Sequence, residues 1–124
     1  DVDPGTALVS VASMREQAAR LEAAGHRPRV FIPVDFAGSV ADLPAVADLA
    51  RSYGALVIQD AAHSLGTTYE AEGRRYRVGE GAHADLTCLS FHPVKHITTG
   101  EGGAVLTQNE ALYRELVDLR THGI

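Results

Sequence analysis

The apolar positions along the chain change period several times, and each change predicts an element. In "SVASMREQAARLEAAG", Val11, Met14, Ala18 and Leu21 recur at helical spacing on one face. Gly25 is a natural stop for that helix. "RVFIPVDF" is a short, almost continuous apolar run, the pattern of a strand covered on both faces. "ADLPAVADLARSYG" returns to helical spacing, with Leu43, Val46, Leu49, Ala50 and Tyr53 on one face. Asp42 suits the cap, Pro44 the first turn and Gly54 the end. "ALVIQD" is a second buried strand. Strand, helix and strand within about 30 residues predict a βαβ unit with a right-handed crossover.

The pattern then shifts. "TTYEAEGRRYRVG" places polar and aromatic residues around Glu72-Gly73, which predicts a small exposed hairpin. "ADLTCLSF" is a third buried strand and "GGAVLT" a short fourth one. About ten residues separate them, with no helical pattern, which is tight for a parallel crossover, so the fourth strand is expected to run antiparallel. "TQNEALYRELVDLRTHG" predicts a closing helix. Thr107 and Glu110 stand at capping-box spacing, and Leu112, Leu116 and Leu119 form the inner stripe. The predicted class is α/β, a mostly parallel sheet with flanking helices.

Composition adds limits. The 124 residues suffice for one domain with a core. A hydrophobic share of 45% and a charged share of 22% belong to an ordinary globular protein. The net charge of −5 argues against a long nucleic-acid track. No apolar run approaches the ~18 residues of a membrane span, and the start does not read as a secretion signal. Cys88 is the only cysteine, so no internal disulfide can form, which fits a reducing cytoplasm. It lies in an apolar strand without an adjacent base and is expected to be an inert core thiol. The chain starts without Met and ends directly after a helix, so it is expected to be a piece of a longer protein.

Candidate chemistry collects at strand ends, where open α/β sheets bind ligands. Asp60 ends "ALVIQD", His63 follows it by three residues, Ser90 ends "LTCLS" and Lys95 comes five residues later. Lys95 is the only lysine beside ten arginines. A guanidinium stays protonated, whereas an amine can lose its proton and attack a carbonyl, so imine formation is the task that arginine cannot do. Pyridoxal phosphate forms such an imine and requires an acid on its pyridinium nitrogen, a role open to Asp60. Ser90 can donate to a phosphate, and "TTGEGG" lets backbone approach a cofactor closely. His92 and His96 would face the same way on a helix as two metal ligands, but Pro93 argues against a helix and no third ligand is evident nearby. "DVDPG" starts like a calcium loop, yet its twelfth position is Ala. No metal site is expected. "GEGG" leads into a strand, unlike a phosphate-binding or dinucleotide-binding glycine loop.

"IPVDFAG", "QDAAHSLG", "SFHPVKHITTGEGGAVLT" and "LRTHGI", in this order and spacing, resemble the DegT/DnrJ/EryC1/StrS sugar aminotransferases over essentially the whole chain. Within that family the segment around Lys95 is most similar to the transaminases of pseudaminic acid synthesis. The resemblance implies the large domain of a fold type I enzyme dependent on pyridoxal 5′-phosphate. It implies that Lys95 is the Schiff-base lysine, Asp60 the pyridinium partner, His63 the residue on the ring face and Ser90 a phosphate ligand, with His92 and His96 flanking the site. It further implies amino transfer from glutamate to a UDP-linked 4-keto-6-deoxy sugar, in a homodimer. The upstream phosphate-cupping segment and the small C-terminal domain of the family have no counterpart in the chain, so the piece alone is expected to be inactive. Asp35 stands where relatives often carry His. Two alternatives accompany this reading: a non-catalytic remnant of such an enzyme, and a sugar dehydratase of the same fold. Such dehydratases carry His in place of the lysine.

Overall fold

The computed structural model of the chain describes residues 1–121. Helix α1 (Val11–Ala23) starts at Ser10, whose hydroxyl accepts the Ser13 N–H at 3.3 Å. Strand β1 is only Val30–Phe31, and helix α2 spans Leu43–Tyr53. Asp42 caps α2 by accepting the Ala45 N–H at 3.2 Å, and Gly54 closes it. Leu43, Val46, Leu49 and Ala50 are all buried, as the helical spacing predicts. Strand β2 (Leu56–Asp60) pairs in parallel with β1, completing the βαβ unit. Phe31, Val46, Leu49, Ala50 and Val57 make the core between this sheet and its helices, joined by Ala18 from α1. Truncating Leu49 to Ala there would cost about 2–5 kcal/mol.

The predicted hairpin is β3 (Thr68–Ala71) and β4 (Arg74–Arg77), a two-stranded sheet of its own. Its turn holds Glu72 at φ 52° and Gly73 at φ 73°, both left-handed, which matches the twist of the flanking strands. Strand β5 (Leu86–Ser90) lies parallel to β2, and β6 (Gly103–Leu106) runs antiparallel to β5. The main sheet has the order β1-β2-β5-β6, three parallel strands and one reversed. Gly103 is required by close approach, since a Cβ there would sit 2.8 Å from the Leu89 carbonyl oxygen.

Three expectations need correction. The run "RVFIPVDF" is not covered on both faces. Phe31, Pro33 and Asp35 are buried, while Val30, Ile32, Val34 and Phe36 are 41–54% exposed, because α2 packs on one face and, among the described residues, the other face stays largely open. Only two of its residues pair as a strand, with two further isolated bridges, Val34 to Asp60 and Phe36 to Ser39. Second, α3 (Glu110–Arg120) is capped by Asn109, not by Thr107. Asn109 Oδ1 accepts the N–H groups of Ala111 and Leu112. The Thr107 hydroxyl is used otherwise, donating to the Asp85 carbonyl at 2.7 Å and accepting the Asn109 N–H at 3.1 Å. Third, Leu112 and Leu116 of its stripe are half-buried but Leu119 is 73% exposed. A gap of about 700 Å³ separates Tyr113, Leu116 and Val117 from Cys88 and Val105 of the sheet. His122, Gly123 and Ile124, the end of the "LRTHGI" segment, lie outside the described residues.

Candidate functional site

The carboxyl ends of β1, β2 and β5 point the same way, so the chain emerging from each reaches one rim of the sheet. After β5 the ladder continues with Phe91 N–H donating to the Gly102 carbonyl at 2.8 Å, which pinches residues 91–102 into a loop. Thr99 N–H donates back to the Phe91 carbonyl at 3.1 Å, and Lys95 N–H donates to the His92 carbonyl at 2.9 Å. Pro93 sits inside that tight turn, and no helix forms. Lys95 is half-buried, while every other residue from His92 to Gly102 is exposed. Lys95 is thus the most shielded residue of the turn from His92 to Gly102.

Lys95 shares a pocket of about 370 Å³ with Val94 and His96 of its own loop, His63 after β2, and Ala37 and Gly38 after β1. Phe36 lies against the His63 ring, with centroids 5.7 Å apart and planes tilted by 38°. Ala37 holds φ 51°, a conformation uncommon for a residue with a Cβ, at the pocket wall. His63, Lys95 and His96, all expected from the sequence, are thus brought to one pocket.

Asp60, Ser90 and His92 are not part of its lining. Asp60 ends β2 as expected, and its Oδ1 accepts the Ala62 N–H at 3.1 Å. Its strand neighbour is Cys88. Burial raises the Cys88 thiol pKa, and the Asp60 carboxylate raises it further, so the thiol stays protonated and poorly nucleophilic. Ser90 Oγ accepts the His92 N–H at 3.4 Å, and among the described residues its hydroxyl has no acceptor. His92 turns into its loop: Nδ1 accepts the Val94 N–H at 3.3 Å, and Nε2 lies 3.9 Å from Glu101 Oε1.

What sequence reasoning missed is the role of Asp35, noted there only as a departure from relatives that carry His. It is 1% exposed and its carboxylate is fully engaged. Oδ1 accepts the Ala41 N–H at 3.0 Å, and Oδ2 accepts both Gln59 Nε2 at 2.7 Å and the Ser64 hydroxyl. Gln59 in turn accepts the Thr87 hydroxyl at 3.2 Å, and Gln59, Ser64 and Thr87 are all buried. The signal in the sequence was an acid within an apolar run, with partners in three other segments. Among the described residues, no buried side-chain nitrogen or oxygen lacks a partner.

Fold and site together define an α/β domain with a half-buried lysine and a histidine lining one pocket at the carboxyl rim of a mostly parallel sheet. The chain belongs to the DegT/DnrJ/EryC1/StrS aminotransferase family, whose model matches residues 1–124. The family depends on pyridoxal 5′-phosphate. A UDP-4-amino-4,6-dideoxy-N-acetyl-beta-L-altrosamine transaminase of Campylobacter jejuni is 46% identical over 91 residues, 73% of this chain and 23% of its own length. A DegT DnrJ EryC1 StrS aminotransferase from Brucella abortus superposes with a TM-score of 0.81 at 29% identity, over 95% of this chain and 31% of its own. NtdA from Bacillus subtilis, solved with bound cofactor PMP, superposes with a TM-score of 0.75 at 27% identity, over 95% of this chain and 24% of its own. The chain thus spans about a quarter to a third of the length of these relatives. Among the described residues, no helix is long and apolar enough to cross a membrane.

Proposed function

We propose that the chain is the lysine-bearing part of the large domain of a pyridoxal phosphate-dependent aminotransferase. Its substrates are glutamate and a UDP-linked 4-keto-6-deoxy sugar of the pseudaminic acid type. The carrying observation is that Lys95, the chain's one lysine, is half-buried and lines a pocket together with His63 and His96. The substrate class draws support from the C. jejuni relative. The residues present fit the cofactor: an amine and an imidazole share the pocket, a carboxylate ends the adjacent strand, and a serine keeps a hydroxyl proton to donate.

Bound there, pyridoxal 5′-phosphate supplies an aldehyde that condenses with amines and a ring that takes up electrons when a neighbouring carbon loses its proton. Lys95 Nζ would be the amine that holds the aldehyde and, when free, the base that would move a proton between carbons. The Asp60 carboxylate, at the end of β2, would be the partner that keeps the ring nitrogen protonated and so would make the ring a better electron acceptor. His63 would pack against the ring and Ser90 would donate to the phosphate, with His92 and His96 flanking the site. The remaining phosphate contacts, a small C-terminal domain and a second subunit come from chain beyond these residues, in a cytoplasmic homodimer. The 124-residue piece alone is therefore inactive.

The test is borohydride reduction of the full-length protein with pyridoxal phosphate, followed by peptide mass spectrometry. A pyridoxyl adduct on Lys95 is expected. Lys95→Arg keeps the charge, abolishes the adduct and lowers turnover by several orders of magnitude. An adduct elsewhere, or retained activity in that variant, overturns the assignment. Turnover by the 124-residue chain near that of the full-length protein overturns its expected inactivity.

A further inference from the structure

We infer that Asp35 is a positioning residue: its buried carboxyl clamps the turn from Asp60 to Ser64 at both ends, so that His63 faces the Lys95 pocket. The inference rests on the reading of that pocket as the cofactor site. Its geometric basis is the order of residues along the chain. Gln59, which donates to Asp35, immediately precedes Asp60, and Ser64, which also donates to Asp35, immediately follows His63. The Asp35 N–H donates to the Asp60 carbonyl at 2.9 Å. One residue therefore holds the segment carrying both the candidate acid and the candidate ring-facing imidazole.

The same carboxyl also sets the opposite wall. Its bond to the Ala41 N–H closes the loop of residues 36–40, within which Phe36 and Ser39 exchange two backbone hydrogen bonds. That loop presents Ala37 and Gly38 to the pocket and Phe36 to the His63 ring. Through Gln59 the network reaches Thr87 on β5, the strand that leads to the Lys95 loop. All donors to Asp35 are neutral, so the carboxyl organises hydrogen-bond direction and is not one half of an ion pair. An apolar side chain at position 35 would fill space and leave three donors without an acceptor. Asparagine would keep an acceptor for Ala41, and Gln59 can turn its amide over to accept from the new amide.

The experiment uses the full-length protein with Asp35→Ala, Asp35→Asn and Ser64→Ala. Val46→Ala, a core truncation on α2, serves as the stability control. Diethylpyrocarbonate modification of His63, followed by peptide mass spectrometry, reads the freedom of the ring without any cofactor. D35A is expected to speed the modification about tenfold, the factor from losing a buried hydrogen-bond partner. S64A is expected to be intermediate, D35N within about twofold of wild type, and V46A unchanged despite its lower Tm. If D35A does not fold, the comparison of S64A with V46A decides. A wild-type rate in D35A or, failing that, in S64A overturns the inference, as does a rate in V46A equal to theirs. Pyridoxal phosphate titration of the same proteins separates the two levels. Wild-type protein that takes up no cofactor, with His63 still freed in D35A, removes the functional reading and leaves the clamp standing.

Discussion

Tyr69 shows how much a single side chain can report at the root of the hairpin. Its hydroxyl lies 2.9 Å from His83 Nδ1, and its ring stacks on Tyr76 at 5.5 Å. Burial, with Glu80, Tyr76 and Asp35 adding smaller contributions, raises its pKa from 10.0 to about 12. The neutral phenol is the form favoured by the fold, so its stabilisation is complete below about pH 10 and is lost as pH rises towards 12. Ultraviolet titration of tyrosinate should find one of the four tyrosines ionising late, and Tyr69→Phe should remove that late step. A titration in which all four ionise together would contradict the burial. Chemistry-bearing residues were legible at this scale where the residue type itself was unusual. One lysine beside ten arginines marks position 95, and Lys95 is half-buried in an otherwise exposed turn. Asp35 was illegible for the opposite reason. Its partners lie at positions 41, 59 and 64, and nothing in a linear string brings them together.

Elements were legible wherever a local rule had no competitor. Helix α2 has its cap, its proline and its glycine where short-range stereochemistry wants them. The Glu72-Gly73 turn followed from local pattern as well. The cap of α3 was misread because two candidates stood two residues apart, and the Asp85 carbonyl, distant in sequence, claimed the Thr107 hydroxyl. The hairpin turn also yields a stability prediction. Glu72 adopts a left-handed conformation that costs most L-residues about 1–2 kcal/mol but that Asn tolerates. Glu72→Asn should therefore raise stability by roughly 0.5–1 kcal/mol and Tm by a few degrees. Differential scanning calorimetry decides, and an unchanged or lower Tm would count against the turn geometry.

On the scale of the whole molecule, the sheet is clothed unevenly. Val30, Ile32, Val34 and Phe36 expose an apolar row at the edge strand, and β1 has a partner on one side only. The sequence showed the apolar run but not its cover, since cover depends on what else folds over it. An open edge beside an apolar face favours pairing with another chain. The 124-residue piece by itself should show apparent mass rising with concentration in sedimentation experiments, and Ile32→Lys should weaken that association. A monomer across the whole series would argue that the face is stable when bare.

The hairpin of β3 and β4 forms a sheet separate from the one that carries Lys95, and its tip from Glu72 to Arg75 stands in solvent. A fluorophore or short epitope placed at that tip would report on the protein without touching the pocket. The molecule thus has a built-in handle, set apart from the sheet whose rim bears the pocket.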